Sequence, residues 1–182
     1  PMNDLFEAYI AALLRRALAK TGGDIVEQGG RRYCLGDYTG SEFQYGTLFQ
    51  TKPDIILRRG GMIEAIIDTK WKKLATDPLD RKHGVAQSDV YQLMAYARLY
   101  RCRNLLLLYP EVPGMVCGER RSFGMAMGNE RLRIATIDVS QPRAIIELRL
   151  KALCVANSIP ASDGQSGRFD NKMDSVHAGA KK

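Results

Sequence analysis

The chain has 182 residues, 45% of them hydrophobic and 26% charged, which supplies one globular core plus an extension and excludes global disorder. Its longest apolar runs, such as Leu105 to Tyr109, fall far short of the ~18 residues a membrane-spanning helix needs. Twenty-seven basic against twenty acidic side chains leave +7, a balance compatible with a polyanionic partner, because each phosphate neutralised by Lys or Arg releases counterions.

Asn3 to Lys20 places Leu5, Phe6, Tyr9, Ile10, Leu13, Leu14, Ala17 and Leu18 on one helical stripe, with Asn3 as cap and Gly22-Gly23 as stop. Asp4 and Glu7 stand where an export signal would be positive, so a cytoplasmic protein is expected. The chain opens on Pro1 in place of Met, as a piece of a longer protein would. Asp24 to Gln28 and Arg31 to Leu35 flank Gly29-Gly30 and read as a hairpin, followed by a polar loop from Gly36 to Gly46. Thr47 to Arg58 reads as a strand interrupted by Pro53, with Met62 to Lys72 as its partner.

Gln87 to Tyr100 reads as a helix, Ser88 capping it and Asp89 favouring its dipole. Asn104 to Pro110 is a buried strand, Ser122 to Met127 with Arg131 to Ser140 a second hairpin, and Pro142 opens a helix running to about Ala156. Residues 1–157 therefore read as one domain of the α/β class, a mixed sheet flanked by helices. Residues 158–182, rich in Gly, Ser, Asp, Asn and Lys, read as a loosely held tail.

The cysteines at 34, 102, 117 and 154 lie 68, 15 and 37 residues apart, without a CxxC pair, and are expected to be reduced and mostly buried. His83 and His177 are too few for a zinc site of the histidine type. No Walker-type glycine loop is present, so hydrolysis of GTP or ATP by this chain is not expected.

Chemistry concentrates in two strands. Along Ile63 to Lys72, alternation puts Ile63, Ala65, Ile67, Thr69 and Trp71 on an apolar side, and Glu64, Ile66, Asp68, Lys70 and Lys72 on the other. Asp68 and Lys70 then project together from the end of an anchored strand. Asp54 joins them if the connection to the preceding strand has odd length or a bulge corrects the register. A three-residue loop, Arg59-Gly60-Gly61, would set Asp54 opposite Ile66 and diagonal to Asp68. Two converging carboxylates repel unless a cation joins them, and hard oxygen ligands suit Mg²⁺. Such an ion polarises a phosphoryl oxygen and acidifies a bound water, while Lys70 would orient that water or stabilise developing charge. Alone, Asp-x-Lys is commonly a solvated strand-end pair.

Pro53-Asp54, thirteen intervening residues, then Asp68-Thr69-Lys70 with a helix following resembles the PD-(D/E)xK nuclease superfamily. Gln92 and Tyr96, four apart on one helical face, resemble the Gln-x-x-x-Tyr of its RecB-like branch. Asn3-Asp4-Leu5-Phe6-Glu7, Lys52-Pro53-Asp54-Ile55, Asp68-Thr69-Lys70-Trp71-Lys72 and Asp89 to Ala97 together resemble the McrC family, nuclease subunits of the 5-methylcytosine-specific McrBC restriction systems.

The resemblance implies a restriction-endonuclease-like fold and a Mg²⁺-dependent endodeoxyribonuclease, with Mn²⁺ as a substitute. It implies Asp54, Asp68 and the Thr69 carbonyl as metal ligands and Lys70 as the catalytic lysine. Glu7 would assist metal or water, and Gln92 and Tyr96 would position the lysine or the DNA. Lys52, Lys72 and Lys73 would hold phosphates, as would Arg58, Arg59, Arg81 and Lys82. It implies DNA as substrate and a McrB-like AAA+ GTPase as partner, although the docking region for that partner is not visible here. A homodimer would suit double-strand cleavage, and no membrane is involved. A RecB-like exonuclease or repair nuclease, and a degenerate DNA- or partner-binding module, are the competing readings.

Overall fold

A computed structural model describes residues 1–39, 42–43, 46–74, 79–113 and 116–155. The expected tail at 158–182, Ala156 and part of the Gly36–Gly46 loop lie outside the described residues. Among the described residues no helix is long and apolar enough to cross a membrane.

In chain order the elements are α1 (Met2–Leu18), β1 (Gly23–Glu27), β2 (Arg32–Leu35), β3 (Tyr38–Thr39), β4 (Glu42–Phe43), β5 (Leu48–Thr51), β6 (Ile55–Arg59) and β7 (Met62–Thr69). There follow α2 (Gln87–Tyr100), β8 (Asn104–Pro110), β9 (Gly118–Gly124), β10 (Arg131–Ile137) and α3 (Arg143–Val155). Six strands form one mixed sheet in the order β1-β6-β7-β8-β10-β9, with β7, β8 and β10 parallel to one another and the outer pairings antiparallel. The architecture is a restriction-endonuclease-like α/β fold, as the sequence predicts.

Sequence explains the strand order. β7, β8 and β10 are buried along most of their length, β8 through a near-continuous apolar run, and they occupy the centre of the sheet. On one face Ile55, Leu57, Ala65, Ile67, Leu106 and Leu108 meet α1 and α3 through Phe6, Ile10, Leu14, Ile146 and Leu150. On the other, Ile56, Ile66, Leu105, Leu107 and Tyr109 meet α2 through Leu93, Tyr96, Ala97 and Tyr100. Each such apolar side chain contributes about 1.5–3 kcal/mol on burial. Arg133, fully buried in β10, donates to the Leu153 carbonyl at 2.7 Å and satisfies one of the last carbonyls of α3.

Several local expectations are corrected. β1 and β2 do not form a hairpin: β1 pairs with β6 and β2 with β5. The reason is burial. Ile25 gives β1 a core residue, whereas β2 has none and goes to a small two-stranded arm. The chain turns between them at Gly30 (φ +71°), where a Cβ would stand 2.8 Å from the Tyr100 ring. The predicted Thr47–Arg58 strand is split at buried Pro53, which has no N–H for a ladder, into β5 and β6. β9 starts earlier than predicted, at Gly118.

Asn3 and Ser88 are not caps. Pro1 and Ala86 occupy the N-cap positions, neither α1 nor α2 has a side-chain cap, and Asn3 is spent on the chain beyond β7. All four cysteines are free thiols, with Cys102 and Cys154 buried and Cys34 and Cys117 half-buried.

Candidate active site

The β6–β7 connection decides what meets at the strand ends. Arg59 pairs with Met62, so the loop is the two residues Gly60-Gly61, both at positive φ (+57° and +78°), rather than the predicted three. A regular ladder from that turn would set Asp54 and Asp68 on opposite faces. Instead the register shifts between Leu57 and Arg58: Arg58 pairs with Ile63 and Leu57 with Ala65, leaving Glu64 as a bulged residue. Beyond the bulge Ile55 opposes Ile67, and one further step brings Asp54 against Asp68, directly opposed rather than diagonal.

Asp54 is held where β6 begins. Its backbone carbonyl accepts from Gln28 N at 2.9 Å, and its Oδ2 accepts from Thr69 N at 2.8 Å and from the Thr69 hydroxyl at 3.0 Å. Asp68 is 1% exposed, and its Oδ1 accepts no hydrogen bond. Lys70 Nζ stands 2.6 Å from Asp68 Oδ2, a contact of charges rather than an aligned hydrogen bond. Burial, and then the neighbouring charge of Asp54, push the Asp68 carboxyl up to about 6.

The backbone of Lys70 extends the sheet by one residue, donating to the Leu108 carbonyl at 3.0 Å. Burial pulls its ammonium down, but Asp68, with Asp54 and Asp89 behind it, outweighs burial and the net shift is upward. Lys70 is therefore a fixed cation at neutral pH, better suited to stabilising negative charge than to taking a proton.

Helix α2 supplies the next contacts. Lys70 Nζ donates to Gln92 Oε1 at 3.5 Å, Gln92 Nε2 donates to the Tyr96 hydroxyl at 2.6 Å, and that hydroxyl donates to the Lys52 carbonyl at 3.2 Å. This relay fixes which way the Gln92 amide faces. Burial pushes Tyr96 up to about 12, with Asp68 and Asp54 adding to it and Gln92 opposing, so it remains a neutral hydroxyl. From α1, Glu7 faces the same cluster: burial first and Asp54 second raise its pKa, against a hydrogen bond from Gln28 and the charge of Lys52. α1 is seated there by Trp71 N, which donates to Asn3 Oδ1 at 2.9 Å, and by the Phe6 and Trp71 rings, 5.3 Å apart.

The fold thus gathers Asp54, Asp68, Thr69, Lys70, Glu7, Gln92 and Tyr96 at one end of the sheet. The predicted phosphate holders fare unevenly. Lys52 is exposed and its carbonyl joins the relay, whereas Lys73, Arg81 and Lys82 are exposed without a contact to the cluster among the described residues, and Arg81 and Lys82 line a separate cavity with Phe123 and Met125. Lys72 is instead paired with Asp89 at 2.8 Å, and Arg59 with Glu64 at 3.0 Å. Arg58 is half-buried, with Nε lacking a partner.

Two participants escape the sequence reading: Asp89, which is buried against Lys72 rather than serving the helix dipole alone, and Asn3. An acid at the head of a helix carries an obvious local explanation, so only its tertiary partner distinguishes it.

Among the described residues, no three His, Cys, Asp or Glu side chains form a ready cage for a metal. The donor set nevertheless fits a hard divalent cation. The charge of Asp54 raises the proton affinity of Asp68, which is buried with neither carboxylate oxygen in an aligned hydrogen bond. Mg²⁺ is commonly held by one or two carboxylates and keeps several waters, so it does not need a third acid.

The family described as McrBC 5-methylcytosine restriction system component matches residues 1–110. Comparison with curated proteins gave no match. Among solved structures, a chain of the refined half-complex from the tetradecameric assembly of Thermococcus gammatolerans McrB AAA+ hexamers with bound McrC is similar. The TM-score is 0.59 at 17% identity, covering 87% of this chain and 33% of that one. That likeness is one of fold, and this chain spans about a third of that chain's length.

Proposed function

The chain belongs to the McrBC 5-methylcytosine restriction system component family, and from that premise we propose that it carries the DNA-cutting site of a McrC-like, Mg²⁺-dependent endonuclease. The observation that carries this reading is the convergence of Asp54, Asp68 and Lys70, which depends on a bulge placed so that two acids on different strands share a face. A structural ion pair alone needs no second carboxylate opposite a desolvated first one.

Asp54 and Asp68 would hold Mg²⁺, with the Thr69 carbonyl as a further ligand. The bound ion would supply Lewis acidity toward a phosphoryl oxygen and acidify a water. Mn²⁺ is expected to substitute. The chain's own residues do the rest. Thr69 fixes the Asp54 carboxylate through its N–H and hydroxyl, so the acid is oriented before substrate arrives. Lys70, cationic and half-enclosed, stabilises charge building on the phosphorus-bound oxygens. Gln92 and Tyr96 hold the Lys70 ammonium in line, and Glu7 adds a carboxyl from α1 that can accept a hydrogen bond from water.

The partner is proposed to be a McrB-like AAA+ GTPase, and pairing of two copies would deliver a cut to each strand. The Gln92–Lys70 contact fits a RecB-like exonuclease equally well at the site itself. Cleavage of closed circular DNA separates the two, since an exonuclease spares it. Asp68→Ala and Lys70→Ala are each expected to abolish cleavage while leaving the circular dichroism spectrum of the domain unchanged. Cutting at the wild-type rate by either variant, assayed with the partner present, rejects the assignment.

A further inference from the structure

Beside the proposed site lies a cleft of about 390 Å³ between β5 and α2, lined among others by Phe49, Thr51, Lys52, Gln92 and Tyr96. Three of these, Lys52, Gln92 and Tyr96, are the members of the relay that ends on Lys70. The cleft and the reaction centre therefore share a wall. Its volume lies within the roughly 300–1,000 Å³ of small-molecule clefts.

Phe49, on the far side, is unusual in two respects. It is 70% exposed, and its backbone is in the left-handed region at φ +56°. A bulky side chain disfavours that conformation, and no burial of the ring offsets it. The β2–β5 ladder pairs Arg32 with Thr51, Tyr33 with Gln50 and Leu35 with Leu48, but skips Cys34 and Phe49. The ring is thus released from the arm's pairing.

The base of the arm is firmly held. The Thr51 hydroxyl lies 2.9 Å from both the Arg32 carbonyl and the Tyr100 hydroxyl, Arg32 stands over the Tyr100 ring at 5.0 Å, and Tyr100 donates to the Gly30 carbonyl. Strain at an exposed aromatic on an anchored arm is the pattern of a ligand contact rather than of a loose loop.

We propose that Phe49 stacks on a nucleobase of the DNA strand next to the phosphate held at Lys70, with the exposed Lys52 ammonium meeting an adjacent phosphate. The inference rests on the reading of the site as a DNA-cutting centre. Three features select a nucleotide as the occupant. The cleft shares Gln92 and Tyr96 with the relay that reaches Lys70, its lining carries the exposed Phe49 ring and the Lys52 ammonium, and the chain carries a net charge of +7. An aromatic platform plus a backbone cation is the sequence-tolerant way proteins hold an unstacked base. An apolar wedge placed at a base step can also open a duplex.

The test is titration of the chain into duplex DNA carrying 2-aminopurine, with Ca²⁺ in place of Mg²⁺, following both anisotropy and emission. Phe49→Ala is expected to weaken binding about tenfold and to abolish the rise in emission that accompanies unstacking. Phe49→Tyr, which keeps the ring, is expected to retain both signals. Equal affinity and equal emission for wild type and Phe49→Ala overturn the contact while leaving the cleavage reading intact. Failure of the wild-type chain to bind DNA at all overturns both.

Discussion

At the scale of the residue, Asp68 is the costly element. Its carboxyl is buried, sits against Asp54 and has neither oxygen in an aligned hydrogen bond, so ionisation opposes folding. The sign follows from the shift. The folded-state pKa, about 6, lies above the ordinary 3.8, so the folded chain holds this proton more tightly than the unfolded chain does. The penalty is absent below pH ~4, grows between ~4 and ~6, and is full above that. In metal-free protein at pH 7.5, Asp68→Asn is therefore expected to raise Tm by a few degrees, corresponding to about 1–3 kcal/mol. The gap to wild type should close as pH falls through 6 toward 4, in scans by differential calorimetry. A variant less stable than wild type at neutral pH contradicts the desolvation argument. Asp68, Lys70, Gln92 and Tyr96 were legible in the sequence, since each lies in a short motif of fixed spacing. Asp89 was legible only as a helix-dipole acid, because its partner Lys72 comes from a segment seventeen residues away.

At the scale of the element, the β6–β7 hairpin sets the geometry. Its turn needs two residues at positive φ, and Gly60 and Gly61 supply them. Neither has a heavy atom within 4 Å of where a Cβ would stand, so the requirement is conformational and not steric. Gly60→Ala is expected to cost about 1 kcal/mol and to lower Tm by roughly 2–4 °C, read by thermal melting, with DNA cleavage retained. The position of each strand in this hairpin was visible from alternation and from the glycine pair. The bulge at Glu64 was not. A bulge leaves the composition of a strand unchanged, and its effect appears only in the pairing of partners, which local periodicity does not encode. The β1–β2 misreading has the same root: Gly29-Gly30 signals a turn, but the burial of Ile25 decides which strand β1 joins.

At the scale of the whole molecule, the sheet is a wall with a core on each face, and the candidate site sits where that wall ends. α1 and α3 seal one face and α2 the other, so Glu7 arrives from one layer and Gln92 and Tyr96 from the opposite one. The mixed α/β class followed from a run of strands interrupted by amphipathic helices. The placement of α1 against the end of β7, through Asn3 and Phe6 on Trp71, did not, because it depends on contacts between segments 68 residues apart. The proposed purpose of this geometry is a pair of acids and one lysine placed to hold a single divalent ion. Calorimetric titration with Mn²⁺ tests it most directly. The wild-type chain is expected to bind one ion at neutral pH, and Asp54→Ala and Asp68→Ala should each abolish that binding. Unchanged Mn²⁺ affinity and stoichiometry in both variants would contradict it.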